Sequence, residues 1–188
     1  MSAGGTTAAH SAAPPLIALI GFMGSGKSTV GRIVAEKVGY RFVDTDALVV
    51  ERAGAPISRI FAERGEAAFR DLEAQVLRSL SSARASVIAA GGGAPAQQRN
   101  RQFFQNARTF HLRVSFRSVR GRTREDTGRP LLSQDDHVVR GLYEGRLAVY
   151  EELGEPVETD GRTPLEVAEE IILRLRSPRQ SRNPADRE

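Results

Sequence analysis

The sequence contains no cysteine and no tryptophan, and only two of its 27 basic residues are lysines. The lack of cysteine excludes disulfides, thiol nucleophiles and zinc sites built on thiolates, and it fits a reducing compartment, so we expect a cytoplasmic location. No apolar run approaches the roughly 20 residues that a membrane helix needs, and we expect no membrane association. Residues 1–14 lack the basic start and the hydrophobic segment of a signal peptide, so we interpret them as a disordered tail.

The positive charge of the chain comes almost wholly from arginine. The formal net charge is +4, and arginines are frequent between Arg99 and Arg129. That stretch has no interleaved aromatic residues and no known nucleic-acid motif, and Glu125 and Asp126 interrupt it, so we expect no nucleic-acid partner. Handling the phosphate groups of a small molecule explains these arginines better.

Length and periodicity predict one α/β domain. The chain has 188 residues, of which 40% are hydrophobic, enough for one domain with a core. Short β-rich runs alternate with helical patterns, which predicts a parallel sheet covered on both faces, a three-layer α/β/α sandwich. The predicted strands cover 16–20, 40–44, 86–90, 109–114 and 156–159. The predicted domain covers 15–176, with a helix at 66–80 and a final helix opened by a capping box at 163–166, and we interpret 177–188 as a disordered tail outside it.

The run LIALIGFMGSGKST at 16–29 is the most informative segment of the chain. It contains the phosphate-binding pattern G-x-x-x-x-G-K-S/T between an apolar strand and a helical pattern, where that motif belongs. The glycines allow backbone N–H groups to point inward, and the motif predicts binding of a nucleoside triphosphate at the helix N-terminus. The predicted nucleotide ligands are Gly24, Ser25, Gly26, Lys27, Ser28 and Thr29, with Lys27 on the outer phosphates and the Ser28 hydroxyl on magnesium. The alternative is a glycine-rich loop with a chance lysine.

A polar stretch at 120–137 is too long for a passive connector in a compact domain. Its arginines would bring positive charge to a transferring phosphoryl group if it closed over the triphosphate, so we interpret it as a lid. An ordinary surface loop is the alternative.

Two carboxylates follow the second predicted strand, at the sheet edge where ligands bind in α/β folds. Asp44 would hold magnesium through water, and Asp46 would accept the proton of an acceptor hydroxyl. No acidic residue follows the third strand, which favours Asp44 for the metal role. The alternative is that Asp46 only caps a helix over 47–53.

The third predicted strand ends in Gly91, Gly92 and Gly93. Consecutive glycines are costly unless the backbone must approach another group closely, and a small ligand is the favoured candidate. A tight turn from strand to helix is the alternative.

Two arginines stand out by position. Arg70 lies off the apolar stripe of its helix and one turn from Glu66 and Glu73, so an intrahelical ion pair could be its whole role. Arg146 lies on an otherwise apolar helix face, where it could pair with an internal carboxylate or grip a substrate carboxylate in bidentate fashion.

Taken together, these motifs resemble those of the shikimate kinase family. The resemblance runs from about Leu16 to Arg176 and rests on GFMGSGKSTVGR, DTD at 44–46, FAERGEAAFRDLE at 61–73, GGG at 91–93, RPLL at 129–132 and R-x-x-x-Y at 146–150. It implies a nucleoside-monophosphate-kinase-like fold with strand order 2-3-1-4-5. It also implies transfer of the γ-phosphoryl group of ATP to the 3-hydroxyl of shikimate, with Mg²⁺, in aromatic amino acid biosynthesis. We expect a monomer whose partners are shikimate and ATP.

The resemblance also assigns roles to individual residues. Asp46, Arg70, the glycines 91–93 and Arg146 would hold shikimate, with the two arginines on its carboxylate. Lys27 and Arg129 would stabilise the transferring phosphoryl group, and Arg122 and Arg162 would lie near the adenine. The sequence departs from the family at Ala148, where proline is frequent. A kinase of another polyol acid, such as gluconate, and a ligand sensor without turnover remain alternative functions.

Overall fold

The structure is a computed structural model that describes residues 16–123 and 135–176. The predicted tails at 1–14 and 177–188 lie outside the described residues, as do positions 124–134 of the predicted lid, including Arg129. The described ends of the lid segment belong to helices, because 120–123 close one helix and Asp135 caps the next.

Five strands and seven α-helices alternate along the described chain. The strands are β1 (Leu16–Ile20), β2 (Arg41–Asp44), β3 (Ser86–Ala89), β4 (Arg108–Arg113) and β5 (Glu155–Glu158). The helices are α1 (Lys27–Val38), α2 (Thr45–Ala53), α3 (Ile57–Leu80), α4 (Arg101–Asn106), α5 (Phe116–Thr123), α6 (Asp136–Leu153) and α7 (Pro164–Arg176). Two short 3₁₀ helices, Ala94–Ala96 and Gln98–Asn100, connect β3 to α4.

The strands form one parallel sheet in the order β2-β3-β1-β4-β5. The predicted strands are confirmed to within one residue at each end, and the strand order implied by the family resemblance is confirmed as well. Since all strands run in the same direction, their carboxyl ends share one edge: Asp44 pairs with Ala89, and Ile20 pairs with His111. The loops that follow these ends build the candidate site.

The central strand β1 separates two hydrophobic cores. Ala18 and Ile20 face a cluster with residues of α2, α3 and α6, whereas Ile17 and Leu19 face a cluster with residues of α1 and α7. All five residues of β1 are buried, as expected for a strand covered on both faces. The predicted three-layer sandwich is confirmed. Among the described helices, none is both long enough and apolar enough to cross a membrane.

Local sequence signals set several helix ends. Gly39 ends α1 and Gly54 ends α2 in the left-handed conformation, with φ of 71° and 63°. At the start of α7, Glu166 accepts from the Thr163 amide at 2.7 Å, and the Thr163 hydroxyl accepts from the Glu166 amide at 3.3 Å. The predicted capping box is confirmed.

Helix α3 is longer than the predicted helix over 66–80. It begins at Ile57, and its two halves meet at Gly65, whose φ of 77° and ψ of 171° are not helical. The predicted start at 66 therefore coincides with the beginning of the second half. The break redirects α3, so that Phe61 in the first half and Arg70 in the second half both line the site.

Candidate active site

One cavity of about 520 Å³ lies at the carboxyl edge of the sheet, between the α1 N-terminus and helices α2, α3 and α6. Every predicted site residue within the described part of the chain lines this cavity. They are Gly24, Ser25, Gly26, Lys27, Ser28, Thr29, Asp44, Asp46, Arg70, Gly91, Gly92, Gly93, Arg122, Arg146 and Arg162. The structure thus brings together residues that are up to 138 positions apart, from Gly24 to Arg162.

The turn after β1 has the backbone geometry of a phosphate-binding loop. Gly21, Gly24 and Gly26 have φ of 143°, 76° and 93°, values that side chains disfavour. A Cβ at Gly21 would lie 2.7 Å from the Leu112 carbonyl oxygen, so this position needs glycine for space as well. No side chain caps α1 at Gly26, which leaves the N-terminal amides of the helix directed at the cavity.

The Lys27 ammonium is held over the same loop. Its Nζ donates to the carbonyl oxygens of Gly21 at 2.9 Å and Phe22 at 3.0 Å. Ser25 is buried, with 1% exposure, and its hydroxyl lies 3.4 Å from the same Nζ. The loop therefore positions the lysine for an incoming anion, which would compete with these carbonyl oxygens.

Asp44 connects the two aspartates to the phosphate-binding loop. Its Oδ2 accepts from the Ser28 hydroxyl at 2.7 Å, and its Oδ1 accepts from the Asp46 amide at 3.0 Å. Asp44, and not Asp46, is therefore the N-cap of α2. The alternative that Asp46 only caps a helix is wrong, because α2 begins at Thr45 and Asp46 lies in its first turn.

Arg70 is a buried residue of α3 that lines the cavity. Its residue is 7% exposed, and its guanidinium pairs with Glu66 at 2.9 Å and Glu73 at 3.1 Å. Burial opposes the charge of Arg70, but the two carboxylates outweigh it and raise the pKa of Arg70. The predicted intrahelical ion pairs are present, and the same side chain also lines the cavity. Arg70 can therefore pair within its helix and still face a ligand.

Sequence reasoning assigned no site role to Glu73, which is 1% exposed and lines the cavity. Burial raises the pKa of Glu73 to about 7, against the effect of the Arg70 guanidinium, and nearby Asp46 adds to the rise. The available signals were its spacing of three residues from Arg70 and its place at the end of the motif FAERGEAAFRDLE. Thr45 was missed as well: it is buried, and its hydroxyl accepts from the Gly91 amide at 2.9 Å, which joins the first residue of α2 to the glycine triplet.

The glycine triplet allows close approach by charged side chains. A Cβ at Gly91 would lie 2.6 Å from both Asp46 Oδ1 and Glu73 Oε1, and a Cβ at Gly93 would lie 2.7 Å from Arg70 Cζ. None of the three glycines has a positive φ. The segment also turns tightly into the 3₁₀ helix at Ala94, so the turn and the close approach are both present.

Arg146 faces the cavity from α6. It is 9% exposed, and its guanidinium lies 5.7 Å from the centroid of the Phe22 ring. Within residues 16–123 and 135–176, no ion pair is formed by Arg146, so pairing with an internal carboxylate is not observed there. Tyr150, one turn further along α6, donates its hydroxyl to the Gly92 carbonyl oxygen. This contact fixes α6 against the glycine triplet.

Two further arginines line the cavity near the α7 N-terminus. Arg122 donates to the Thr159 carbonyl oxygen at 3.1 Å and reaches the Gly24 carbonyl oxygen at 3.4 Å. Arg162 pairs with Glu170 and donates to the Glu166 carbonyl oxygen at 3.0 Å. These contacts anchor both guanidinium groups at the wall of the cavity.

These features define a class of protein. A phosphate-binding loop on a 2-3-1-4-5 parallel sheet, facing a second pocket with a carboxylate and two arginines, is the arrangement of a P-loop kinase for a small anionic acceptor. The phosphate-binding half and the acceptor half share one cavity, as phosphoryl transfer between two ligands requires.

Comparison with known proteins identifies the family. The shikimate kinase family model matches residues 23–176. A shikimate kinase of Persephonella marina is 38% identical over 161 residues, which are 85% of this chain and 98% of that relative. The chain belongs to the shikimate kinase family.

Solved structures agree with this assignment. The shikimate kinase from Acinetobacter baumannii in complex with shikimate superposes with a TM-score of 0.83 at 37% identity, over 86% of this chain and 93% of that one. A gluconokinase from Sinorhizobium meliloti superposes with a TM-score of 0.56 at 20% identity, over 86% and 93% of the two chains. The second likeness extends to the fold alone.

Proposed function

We propose that this protein transfers the γ-phosphoryl group of ATP to the 3-hydroxyl of shikimate, giving shikimate 3-phosphate and ADP in aromatic amino acid biosynthesis. The observation that carries this proposal is one cavity that is lined both by the phosphate-binding loop and by a second set of residues, Asp46, Arg70 and Arg146. A carboxylated ring alcohol matches the second half, because two guanidinium groups suit its carboxylate and a carboxylate suits its reacting hydroxyl.

In the proposed reaction, Asp46 takes the proton of the acceptor hydroxyl as that oxygen attacks the γ-phosphorus. The new oxygen–phosphorus bond forms while the bond to the leaving ADP oxygen breaks. Arg70 and Arg146 hold the acceptor carboxylate, and backbone groups of 91–93 lie against its ring. Lys27 and Arg129 stabilise the charge of the transferring group. Phosphoryl transfer needs little covalent chemistry from the protein, so alignment and charge neutralisation are its main contributions.

The proposed nucleotide ligands are residues 24–29 together with Arg122, Arg129 and Arg162. The amides at the α1 N-terminus suit the phosphates. The anchored guanidinium groups of Arg122 and Arg162 suit the nucleoside end of ATP. Arg129 lies outside the described residues, and its proposed role rests on the family resemblance.

Ser28 and Asp44 suit a magnesium ion that accompanies ATP. Their oxygens lie 2.7 Å apart beside the α1 N-terminus, and hard oxygen ligands are those that Mg²⁺ prefers. Among residues 16–123 and 135–176, no cluster of three or more acidic, histidine or cysteine side chains could hold a metal, which fits a cation held mainly by water and phosphate oxygens. Bound there, with Asp44 acting through water, the ion would neutralise phosphate charge.

The remaining parts of the proposal concern the state of the protein. We propose a monomer with a cytoplasmic location. The absence of cysteine is compatible with a reducing compartment.

The direct test is ADP release with ATP, Mg²⁺ and a single acceptor at a time. We expect turnover with shikimate, little with gluconate, and at least a 100-fold loss of kcat in Asp46→Asn, because the acceptor proton loses its base. Turnover with gluconate above that with shikimate would favour the polyol-acid kinase. Shikimate binding in calorimetry without ADP release would favour the sensor.

A further inference from the structure

The side chain of Glu73 is buried in the wall of the cavity, and only one of its two carboxylate oxygens has a hydrogen-bond partner among the described residues. Its Oε2 accepts from Arg70 Nη1 at 3.1 Å. Its Oε1 has no hydrogen-bond partner among the described residues, although the residue is 1% exposed. A buried carboxylate in this setting is costly unless a cation or a proton neutralises it.

Charged and titratable groups face Glu73 from each helix packed against it. Its own helix supplies Arg70 and, through Arg70, the exposed Glu66; α2 supplies Asp46; and α6 supplies Arg146 and Tyr150. Asp46 Oδ1 and Glu73 Oε1 both lie 2.6 Å from the position that a Cβ on Gly91 would take, so they are at most about 5 Å apart, a distance at which two negative charges repel measurably. Burial raises the pKa of Glu73 to about 7, so small changes in its surroundings alter its charge near neutral pH.

If the protein binds shikimate as proposed, the acceptor changes the surroundings of Glu73. A carboxylate acceptor gripped by Arg70 and Arg146 adds a negative charge to the pocket, competes with Glu73 for the Arg70 donors and excludes water. Each of these three changes disfavours the ionised form of Glu73. None of them disfavours the neutral acid, which requires no cation.

We propose that binding of the acceptor carboxylate is coupled to uptake of one proton by Glu73, so that the acceptor binds most tightly when Glu73 is neutral. The proton comes from solvent and forms an O–H bond on the Glu73 carboxylate, and no other bond changes. Glu73 is thus a positioning residue that controls how fully Arg70 is available to the acceptor. This proton is distinct from the one that Asp46 takes from the acceptor hydroxyl during transfer.

Shikimate affinity measured without nucleotide tests the coupling and avoids the titration of the phosphate groups. From pH 6 to pH 9 we expect the Kd of the wild-type protein to rise about tenfold, since one bound proton becomes harder to supply. Glu73→Gln mimics the neutral acid, so its Kd should stay nearly constant over that range. Glu73→Asp should restore a pH-dependent Kd. Glu66→Gln, which removes the exposed partner of Arg70, should keep the wild-type slope.

Calorimetry in two buffers of different ionisation enthalpy at pH 8 measures the same coupling directly. We expect net proton uptake on shikimate binding by the wild-type protein and none by Glu73→Gln. A pH-independent wild-type Kd, or a slope that survives in Glu73→Gln, overturns the coupling while leaving the kinase proposal intact. A purely structural role predicts a weaker Kd in Glu73→Gln with the wild-type slope retained. Absence of shikimate binding at every pH overturns the proposed function itself.

Discussion

At the scale of single residues, the four arginines that line the cavity differ in burial and in the groups that they contact. Arg70 is buried and paired with Glu66 and Glu73, whereas Arg146 is buried beside the Phe22 ring without an ion pair in the described chain. Arg122 and Arg162 also line the cavity and donate to backbone carbonyl oxygens. These settings divide the guanidinium groups between the two proposed ligands.

Removing Arg70 and removing Arg129 should have different kinetic effects. Arg70→Ala is expected to raise the KM for shikimate roughly 30-fold, the equivalent of about 2 kcal/mol, because a charged hydrogen-bond donor to the carboxylate is lost. Arg129→Ala is expected to lower kcat at least about 100-fold with the KM for shikimate nearly unchanged. Steady-state kinetics check both predictions. The control is Arg78→Ala, because Arg78 is an exposed arginine of α3, the helix that contains Arg70. A comparable loss of shikimate affinity in both variants contradicts this division.

A methyl group at Gly93 should act through Arg70. Because the new Cβ would lie 2.7 Å from Arg70 Cζ, Gly93→Ala has to displace the guanidinium. We expect the KM for shikimate to rise at least about fivefold while the KM for ATP stays constant, in line with the loss of one charged hydrogen bond. Gly145→Ala, where a Cβ would meet nothing within 4 Å, is the matched control for kinetics. Equal changes in both KM values would show a general disturbance instead.

At the scale of elements, the break in α3 places two helix halves on the acceptor pocket. Gly65 has φ of 77° and ψ of 171°, a conformation that is almost confined to glycine. Gly65→Ala is therefore expected to lower the free energy of unfolding by about 1–3 kcal/mol although its Cβ would meet nothing within 4 Å. Gly145→Ala in α6 has an ordinary helical backbone and should raise it by about 0.5–1 kcal/mol. Chemical denaturation measures both, and a stabilised Gly65→Ala protein would show that the break is not strained for alanine.

At the scale of the whole molecule, two buried titratable groups give opposite pH dependence. Burial, with a smaller effect of Arg113, lowers the pKa of His111 to about 4, and its Nδ1 has no hydrogen-bond partner in the described chain. The unfolded value is about 6.5, so stability is full above that pH and is lost as the pH falls toward 4. For Glu73, burial raises the pKa from 4.5 to about 7. Stability is therefore lost as the pH rises from 4.5 to 7, because the carboxyl group ionises more readily in the unfolded protein.

His111→Phe removes the first of these effects. The wild-type protein should lose about 2–3 kcal/mol between pH 6.5 and pH 4 relative to this variant, because unfolding exposes the imidazole of the wild type, which then takes up a proton and stabilises the unfolded state. Denaturant titrations at several pH values check the difference. The control is His137→Ala, an exposed histidine that should follow the wild type. A His111→Phe curve parallel to the wild-type curve would place the acid sensitivity elsewhere.

Local patterns sufficed for much of this protein. The apolar runs predicted all five strands to within one residue, and the capping box at 163–166 predicted the start of α7. The loop with Gly21, Gly24 and Gly26 predicted the nucleotide-binding half, because its chemistry depends on consecutive backbone groups. The order of the motifs along the chain then sufficed to recognise the family.

The acceptor half depended on tertiary structure. The burial of Glu73, its approach to Asp46 across Gly91 and the contact of Thr45 with the Gly91 amide arise only where α2, α3 and the turn after β3 meet. Likewise, sequence spacing placed Glu73 one turn from Arg70, but only the packing of α3 against the sheet removed water from that pair. The five strands and the phosphate-binding loop are predictable from the sequence alone, because they follow from short-range backbone preferences. The burial of Glu73 beside Arg70 and Asp46 is not predictable in this way, because it depends on packing between residues far apart in the chain.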